Sequence, residues 1–509
     1  MTGAAAAADG LDVLVVGGGP VGLFTAALLD GAGVRVAVLE RRTGPSEHSK
    51  GATVHPRTLE VLSVLRAHDG AGLGDVLAAR GRPAPATHFA LLPALLDYST
   101  LPTRYPYVLM VPQACTERLL LEHLRDRGVP VHYGQRVEQV LQDRDGIRAR
   151  VDRTMHTARY LVGADGTHSL VRRQARIDFP GTEPSLVAFV ADVQLADPPP
   201  QALHHWNDRS GTLSVLPLPS GLHRLYGAEP RDTRLSPAHV RSRQRGELTE
   251  QQLRSAMHRI IGTDFALRKT VWRSQVTDTT RTAVRLRAGR IFLAGDAVHA
   301  HFPAGGQGLN VGLQDAANLA WKLAAECVGR ATPDILSGPA SYHAERHPVA
   351  ESLAHNTLAQ TALMYSFTPA GAALRALVSD LVGHDPGTAQ RLTGWISGLG
   401  VHYPAPLGAH PMAGRRLPEP ELLDRLRPGH FLLAHRADAA PPPVSAELTA
   451  ATTPLLIAST SRSFGAHAAL VRPDGHVAHA WDQVPDGPAI HAAMGCWTPG
   501  FHHHGERRP

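Results

Sequence analysis

Cysteine is scarce: Cys115, Cys327 and Cys496 are the only three in 509 residues, and they form no CxxC pair and no metal-ligand spacing. A disulfide-stapled or zinc-ribbon framework is excluded, and reduced thiols in a cytoplasmic setting are expected. Long apolar runs are also missing. No stretch reaches the roughly 18 apolar residues a bilayer span needs, so no membrane association is expected. The opening MTGAAAAADG lacks the basic segment and apolar core of a signal peptide and reads as a frayed leader. Lysine is nearly absent as well: of 51 basic residues only Lys50, Lys269 and Lys322 are lysines. The arginines are spread along the chain instead of forming a basic stripe interleaved with aromatics. The formal net charge of +6 is therefore read as the composition of a GC-rich genome, and no nucleic-acid partner is expected. There is no HExxH, no Ser-His-Asp order and no zinc spacing among the 30 histidines. The histidine run at 502–504 belongs to the tail, and no metal site is assigned.

What is present suits a globular chain of two or three domains, with 43% hydrophobic and 19% charged residues. Residues 12–40, DVLVVGGGPVGLFTAALLDGAGVRVAVLE, read as strand, glycine turn, helix and second strand. Gly17-x-Gly19-x-x-Gly22 sits between strand and helix, and Glu40 ends the second strand 18 positions later. That is the full dinucleotide fingerprint: a tight turn at Gly17, pyrophosphate access at Gly19, helix–sheet packing at Gly22 and a ribose acceptor at Glu40. It leaves FAD and NAD both open.

Two further stretches share the pattern of an apolar strand running into a small-residue turn. One is RYLVGADGTHSLVRR at 159–173, turning at Asp165-Gly166. The other is AGDAVHAHFPAGGQGLNVGLQDAANLAWKLA at 294–324, in which Asp296 ends the strand RIFLA and a glycine-rich loop leads into a long helix. A helix start so poor in side chains offers free N–H groups to an anionic or electron-rich ligand.

The three stretches, in this order and spacing, resemble the FAD-dependent aromatic hydroxylases, the class A flavoprotein monooxygenases. PRTLE at 56–60, VPQACTERLLLEHL at 111–124 and YHAERHPVA at 342–350 add to the likeness. It is strong over roughly residues 11–355 and looser beyond, and looks closest to the three-domain branch acting on polycyclic aromatic polyketides and rifamycin-type antibiotics. The resemblance implies FAD as cofactor, NADPH or NADH and O₂ as co-substrates, and hydroxylation of a bulky phenolic ring through a C4a-hydroperoxyflavin. Baeyer–Villiger insertion or epoxidation on the same scaffold stays open, as does a flavin-binding protein without turnover.

By the same resemblance Gly17, Gly19, Val21, Gly22, Glu40, Arg41, Lys50, Gln113 and Asp165 contact FAD. Asp296 meets the ribityl chain, and Gly306, Leu309 and Asn310 meet the ring. Lys50 stands where many relatives carry arginine. No catalytic acid or base is assigned; His299, His301 and Pro303 lie near enough to the ring to be candidates. The absence of a second GxGxxG implies transient nicotinamide binding and, with the missing cysteine pair, argues against the two-Rossmann disulfide reductases.

The expected fold is α/β. A Rossmann-like FAD-binding domain, at 1–174 and 286–400 with long helices, carries an inserted antiparallel-sheet substrate domain at 175–285. A C-terminal thioredoxin-like domain without CxxC follows at 401–509. Within the insert, Ser220-Gly221 reads as a hairpin turn, and Phe189, Trp206 and Tyr226 are candidates for an aromatic pocket. VHYPAPLGAHPMAGRRLPEPEL reads as a linker, followed by three strand candidates, the last turning at Asp474-Gly475. Either a monomer or a homodimer fits.

Overall fold

The computed structural model describes residues 10–47, 51–200, 204–438, 441–444 and 455–497. The leader at 1–9, Lys50 and the histidine run at 502–504 lie outside them.

The central sheet starts from Leu11–Val16, whose apolar side chains are suited to burial on both faces of a parallel sheet. It pairs in parallel with Val36–Leu39 on one side and with Thr154–Gly163 on the other. Val131–His132 extends one edge, and Ile291–Leu293 followed by Arg287–Ala288 extends the other. Leu11–Val16, Thr154–Gly163 and Ile291–Leu293 are mutually parallel and adjacent. Their carboxyl ends therefore leave the sheet side by side, although the sequence separates them widely. Helices Pro20–Gly31 and Gln307–Cys327 pack together against this sheet.

A second sheet runs in the order His204–Asp208, Gly211–Pro217, His223–Ala228, Val187–Leu195, Leu267–Thr277, antiparallel throughout. The predicted hairpin closes through the 3₁₀ turn Pro219–Gly221. Helix Glu250–Ile261 covers one face, begun by a capping box between Thr249 and Gln252 and ended by left-handed Gly262. The other face meets Phe302 and Ala304. Strand alternation separates the three pocket candidates. Phe189 and Trp206 belong to the helix-covered core, whereas Tyr226 packs on the opposite face. The expectation that all three line one pocket is corrected by this register, in which Phe189 pairs with Gly227 and Val190 with Tyr226.

Helices Tyr342–Met364, Pro369–His384 and Pro386–Ser397 follow. The proline-rich stretch read as a linker is packed instead: Tyr403, Arg416 and Leu417 are buried, and Arg416 Nε donates to Glu60 Oε2 at 2.7 Å. Among the described residues the last sheet runs in the order Leu455–Thr460, Phe431–Arg436, Ala468–Val471, Val477–Trp481. The first pair is parallel and the others are antiparallel. Among the described residues no helix is long and apolar enough to cross a membrane.

Candidate functional site

Open parallel sheets bind ligands beyond the carboxyl ends of their strands, and three loops meet at that edge here. In the first, a methyl at Gly22 would overlap the Gly17 carbonyl oxygen, so packing demands glycine there. Gly19 differs. It is the N-cap of Pro20–Gly31 with ordinary extended angles (φ −79, ψ 178), makes no side-chain cap, and a Cβ on it would meet nothing within 4 Å. Nothing in the protein requires glycine at this position. The open space before the uncapped helix end suits a phosphate drawing close to the backbone.

Glu40 holds this loop. Its Oε2 accepts from Gly18 N at 2.6 Å and its Oε1 from Arg42 N at 2.8 Å. Burial pushes the carboxyl up, but these bonds and the Arg42 charge outweigh it and leave it below the ordinary carboxylate value. Arg42 also pairs with Glu117 at 3.0 Å and so fixes Glu40 in place, whereas Arg41 is exposed. Gln113 begins helix Gln113–Asp126, and its N–H donates to Gly51 O at 3.0 Å, on the segment leading to Thr53–Val54.

In the second loop Asp165 caps a short helix, accepting from Leu170 N at 2.7 Å and Val171 N at 3.1 Å. Arg172 of that helix donates to Ala297 O at 2.8 Å and Thr167 O at 3.0 Å, tying the second loop to the third. There the turn Gly295–Ala297 buries its ends and leaves Asp296 exposed. Cβ atoms on Gly295 and Gly312 would lie 3.0 and 2.8 Å from Val21 Cγ2, so the third loop and the helix after it close around one small side chain of the first.

Gly306 (φ 62) starts helix Gln307–Cys327 without a side-chain cap, and Thr53 Oγ1 occupies the place of its missing Cβ. Asn310 clamps this start: Oδ1 accepts from His55 N at 2.8 Å, and Nδ2 donates to Gly306 O at 2.7 Å and Thr53 O at 3.1 Å. Leu309 is half-buried beside it, and Pro303 precedes the loop.

Histidine chemistry is muted. Burial pushes His55 down to about 4. Its Nε2 lies 2.8 Å from Gly305 O, which only accepts, so Nε2 carries the proton and Nδ1 faces Tyr98 Oη at 3.4 Å. Burial and neighbouring His299 bring His301 to about 4, with Nδ1 donating to Phe302 O at 2.7 Å. Neither ring is a ready acid at neutral pH. His299 donates through Nε2 to Asp315 Oδ2 at 2.9 Å. Asp315 also accepts from Gly295 N at 3.3 Å and Arg346 Nε at 2.7 Å. Burial raises Asp315, but Arg346 and His299 bring it below the usual carboxylate range.

Farther along the same helix, Lys322 Nζ meets Glu345 Oε2 at 2.6 Å, and Arg472 of the C-terminal sheet meets Glu345 Oε1 at 2.6 Å. Asp474 completes the buried cluster through Arg472. Burial lowers Lys322 to about 8 against the pull of Glu345. A cleft of about 410 Å³ beside Phe292, Ile335 and Tyr342 contains none of the expected site residues.

His55, Arg42, Asp315, Arg346 and the cluster at Glu345 were missed as site-building residues. PRTLE and YHAERHPVA pointed to the right segments. Which side chains mattered depends on partners tens to hundreds of positions away. Among the described residues no group of His, Cys, Asp and Glu is arranged to hold a metal ion.

Uncapped helix ends at Gly19 and Gly306 facing one edge of a parallel sheet, with Glu40 and Asp296 at two strand ends, define a dinucleotide-binding protein. Residues 10–357 match the family model described as FAD binding domain, and the chain belongs to that family. It is 40% identical to YhjG of Bacillus subtilis (strain 168), named as an uncharacterized aromatic compound monooxygenase, over 93% of this chain and 95% of that one. It is 39% identical to the 12-dehydrotetracycline 5-monooxygenase/anhydrotetracycline 6-monooxygenase of Streptomyces rimosus, over 80% of each. The solved structure of the anhydrotetracycline hydroxylase OxyS from Streptomyces rimosus superposes with a TM-score of 0.80 at 34% identity, covering 96% of this chain and 98% of that one. The chain is an FAD-dependent monooxygenase.

Proposed function

We propose that this enzyme uses NAD(P)H and O₂ to hydroxylate a bulky polycyclic phenol of polyketide type. The observation that carries the reading is the extent of the likeness to tetracycline-skeleton monooxygenases: it covers the sheet facing the flavin loop as well as the cofactor loops. Bound FAD supplies the redox chemistry, taking reducing equivalents from NAD(P)H and activating O₂. The chain's own residues bind and orient. Gly19 and the helix end behind it take the pyrophosphate, Glu40 the ribose and Asp296 the ribityl hydroxyls. Gly17, Val21 and Gly22 shape the first loop, and Arg41, Lys50, Gln113 and Asp165 complete the cofactor contacts. The helix starting at Gln307 sets its free N–H groups, around Leu309 and Asn310, against negative charge on the ring. Buried Tyr98, Phe302 and Tyr365 keep water from the side facing the second sheet.

The finer architecture belongs to the same reading: FAD-binding parts at 1–174 and 286–400, a substrate domain at 175–285 and a thioredoxin-like domain at 401–509. The strand order of the last sheet and helix Gly487–Gly495 support that final assignment. A cytoplasmic monomer or homodimer completes it.

The test is NADPH oxidation with and without anthraquinone- and naphthacene-type phenols, with product masses. Acceleration with a gain of one oxygen supports the reading, and product structure separates ring hydroxylation from Baeyer–Villiger insertion. Flavin-loaded enzyme unresponsive to the whole panel refutes the substrate class.

A further inference from the structure

The hairpin of strands Ala86–His88 and Leu95–Asp97 closes through a buried turn whose backbone is strained. Ala90 (φ 52) and Leu91 (φ 54) are consecutive non-glycine residues in the left-handed region, 0% and 4% exposed. This chain has 48 glycines, yet places none at the two positions where glycine would relieve the backbone. Such a conformation persists only when its surroundings over-determine it, and three elements pin this one. Ala90 N–H donates to Gln360 Oε1 at 3.2 Å, Leu91 N–H to His88 Nδ1 at 3.1 Å and Ala94 N–H to Ser379 Oγ at 3.1 Å.

Gln360 is the pin that leads elsewhere. It is fully buried, and its Nε2 donates to Asn356 Oδ1 at 2.8 Å. Asn356 Nδ2 reaches Gln307 Oε1 at 3.5 Å, and Gln307 Nε2 donates to Ala304 O at 3.3 Å. A buried amide ladder therefore joins the strained turn to the flavin loop. Phe89, Ala90, Leu91 and Leu92 share one apolar cluster with Phe302 and Ala304 of that loop and with Val190 of the second sheet. The turn lies at the seam between flavin loop and sheet.

We infer that the Phe89–Leu92 turn is the specificity-determining wall of the substrate site, and that Gln360 is the positioning residue that sets it against the flavin loop. The inference rests on the aromatic-hydroxylase reading. A ring shifted from its reacting position leaves O₂ reduction running while oxygen transfer fails. The ratio of product formed to NADPH consumed therefore reports the wall's placement.

Ala90→Gly and Gln360→Leu test it in the full-length holoenzyme, with Tm, FAD content, KM and coupling ratio measured on a phenol that accelerates the wild type. Ala90→Gly removes the steric strain, so Tm is expected to hold or rise with FAD retained. KM rises fivefold or more and coupling falls by at least half. Gln360→Leu gives the same kinetic pattern with a lower Tm. Greater stability paired with poorer coupling is a result a merely structural turn does not produce. Unchanged KM and coupling in both variants overturns the inference while leaving the enzyme reading intact. Loss of FAD together with a lower Tm in Ala90→Gly also overturns it. A wild type accelerated by no phenol overturns the substrate reading and this inference together.

Discussion

Gly19→Val separates what the fold requires from what the cofactor requires. The residue has ordinary extended angles and open space around a built Cβ, so the fold has no steric objection to a side chain. The only expected effect on the protein itself is a poorer N-cap, about 1 kcal/mol. For FAD the same branched side chain stands before the helix end where the pyrophosphate lies. Losing two charge-assisted hydrogen bonds at roughly 1.5–3 kcal/mol each removes roughly 3–6 kcal/mol of binding. That corresponds to about 10²- to 10⁴-fold weaker affinity. Gly22→Ala is the contrasting variant: its methyl overlaps the Gly17 carbonyl oxygen, so the nucleotide turn itself should fail. Calorimetric FAD titration of deflavinated protein, together with thermal melts, distinguishes the two. A colourless but folded Gly19→Val beside a destabilised Gly22→Ala is expected. Gly19→Val that binds FAD with wild-type affinity would refute the placement of the pyrophosphate, and an unfolded Gly19→Val would refute the claim that the fold leaves this position free.

Asp315→Asn leaves buried Arg346 without its counter-charge and is expected to destabilise by about 3–5 kcal/mol; an unchanged Tm contradicts a structural role for this ion pair. Arg472→Met strands Asp474 and leaves Glu345 to Lys322 alone, and adding Asp474→Asn should recover part of the loss; strict additivity in the double-mutant cycle rules out the coupling. Stability should also fall with pH between about 6.5 and 4. Burial holds His55 at about 4, burial and His299 do the same for His301, and burial outweighs Asp474 at His476. In that window the unfolded chain binds protons that the folded chain does not, so each histidine adds a slope of about 1.4 kcal/mol per pH unit. A Tm independent of pH across the window would show that these rings are not held neutral. The lowered carboxyls of Asp315 and Glu345 act further down, their contribution fading as pH falls below the ordinary carboxylate range.

The sequence by itself determined the cofactor loops. Gly17, Gly19, Gly22, Glu40, Gly295 and Asp296 meet demands set within a few residues, namely a tight turn, an uncapped helix start and an acid at a strand end. Spacing along the chain is enough to reveal such demands. That the turns at Asp165 and Asp296 open beside the Gly19 loop was decided by the parallel pairing of their strands. Tertiary structure alone decided which neighbour does the work. Arg42 braces Glu40 because Glu117, far along the chain, lies on its side. Tyr226 is separated from Phe189 because a one-residue step in a strand reverses the face. The supposed linker is packed because Arg416 finds Glu60 across 356 positions. The strained turn at Ala90–Leu91 could not be read from Ala and Leu, residues that favour other backbone regions. Pins from His88, Gln360 and Ser379 hold it, and only the folded chain brings those three together.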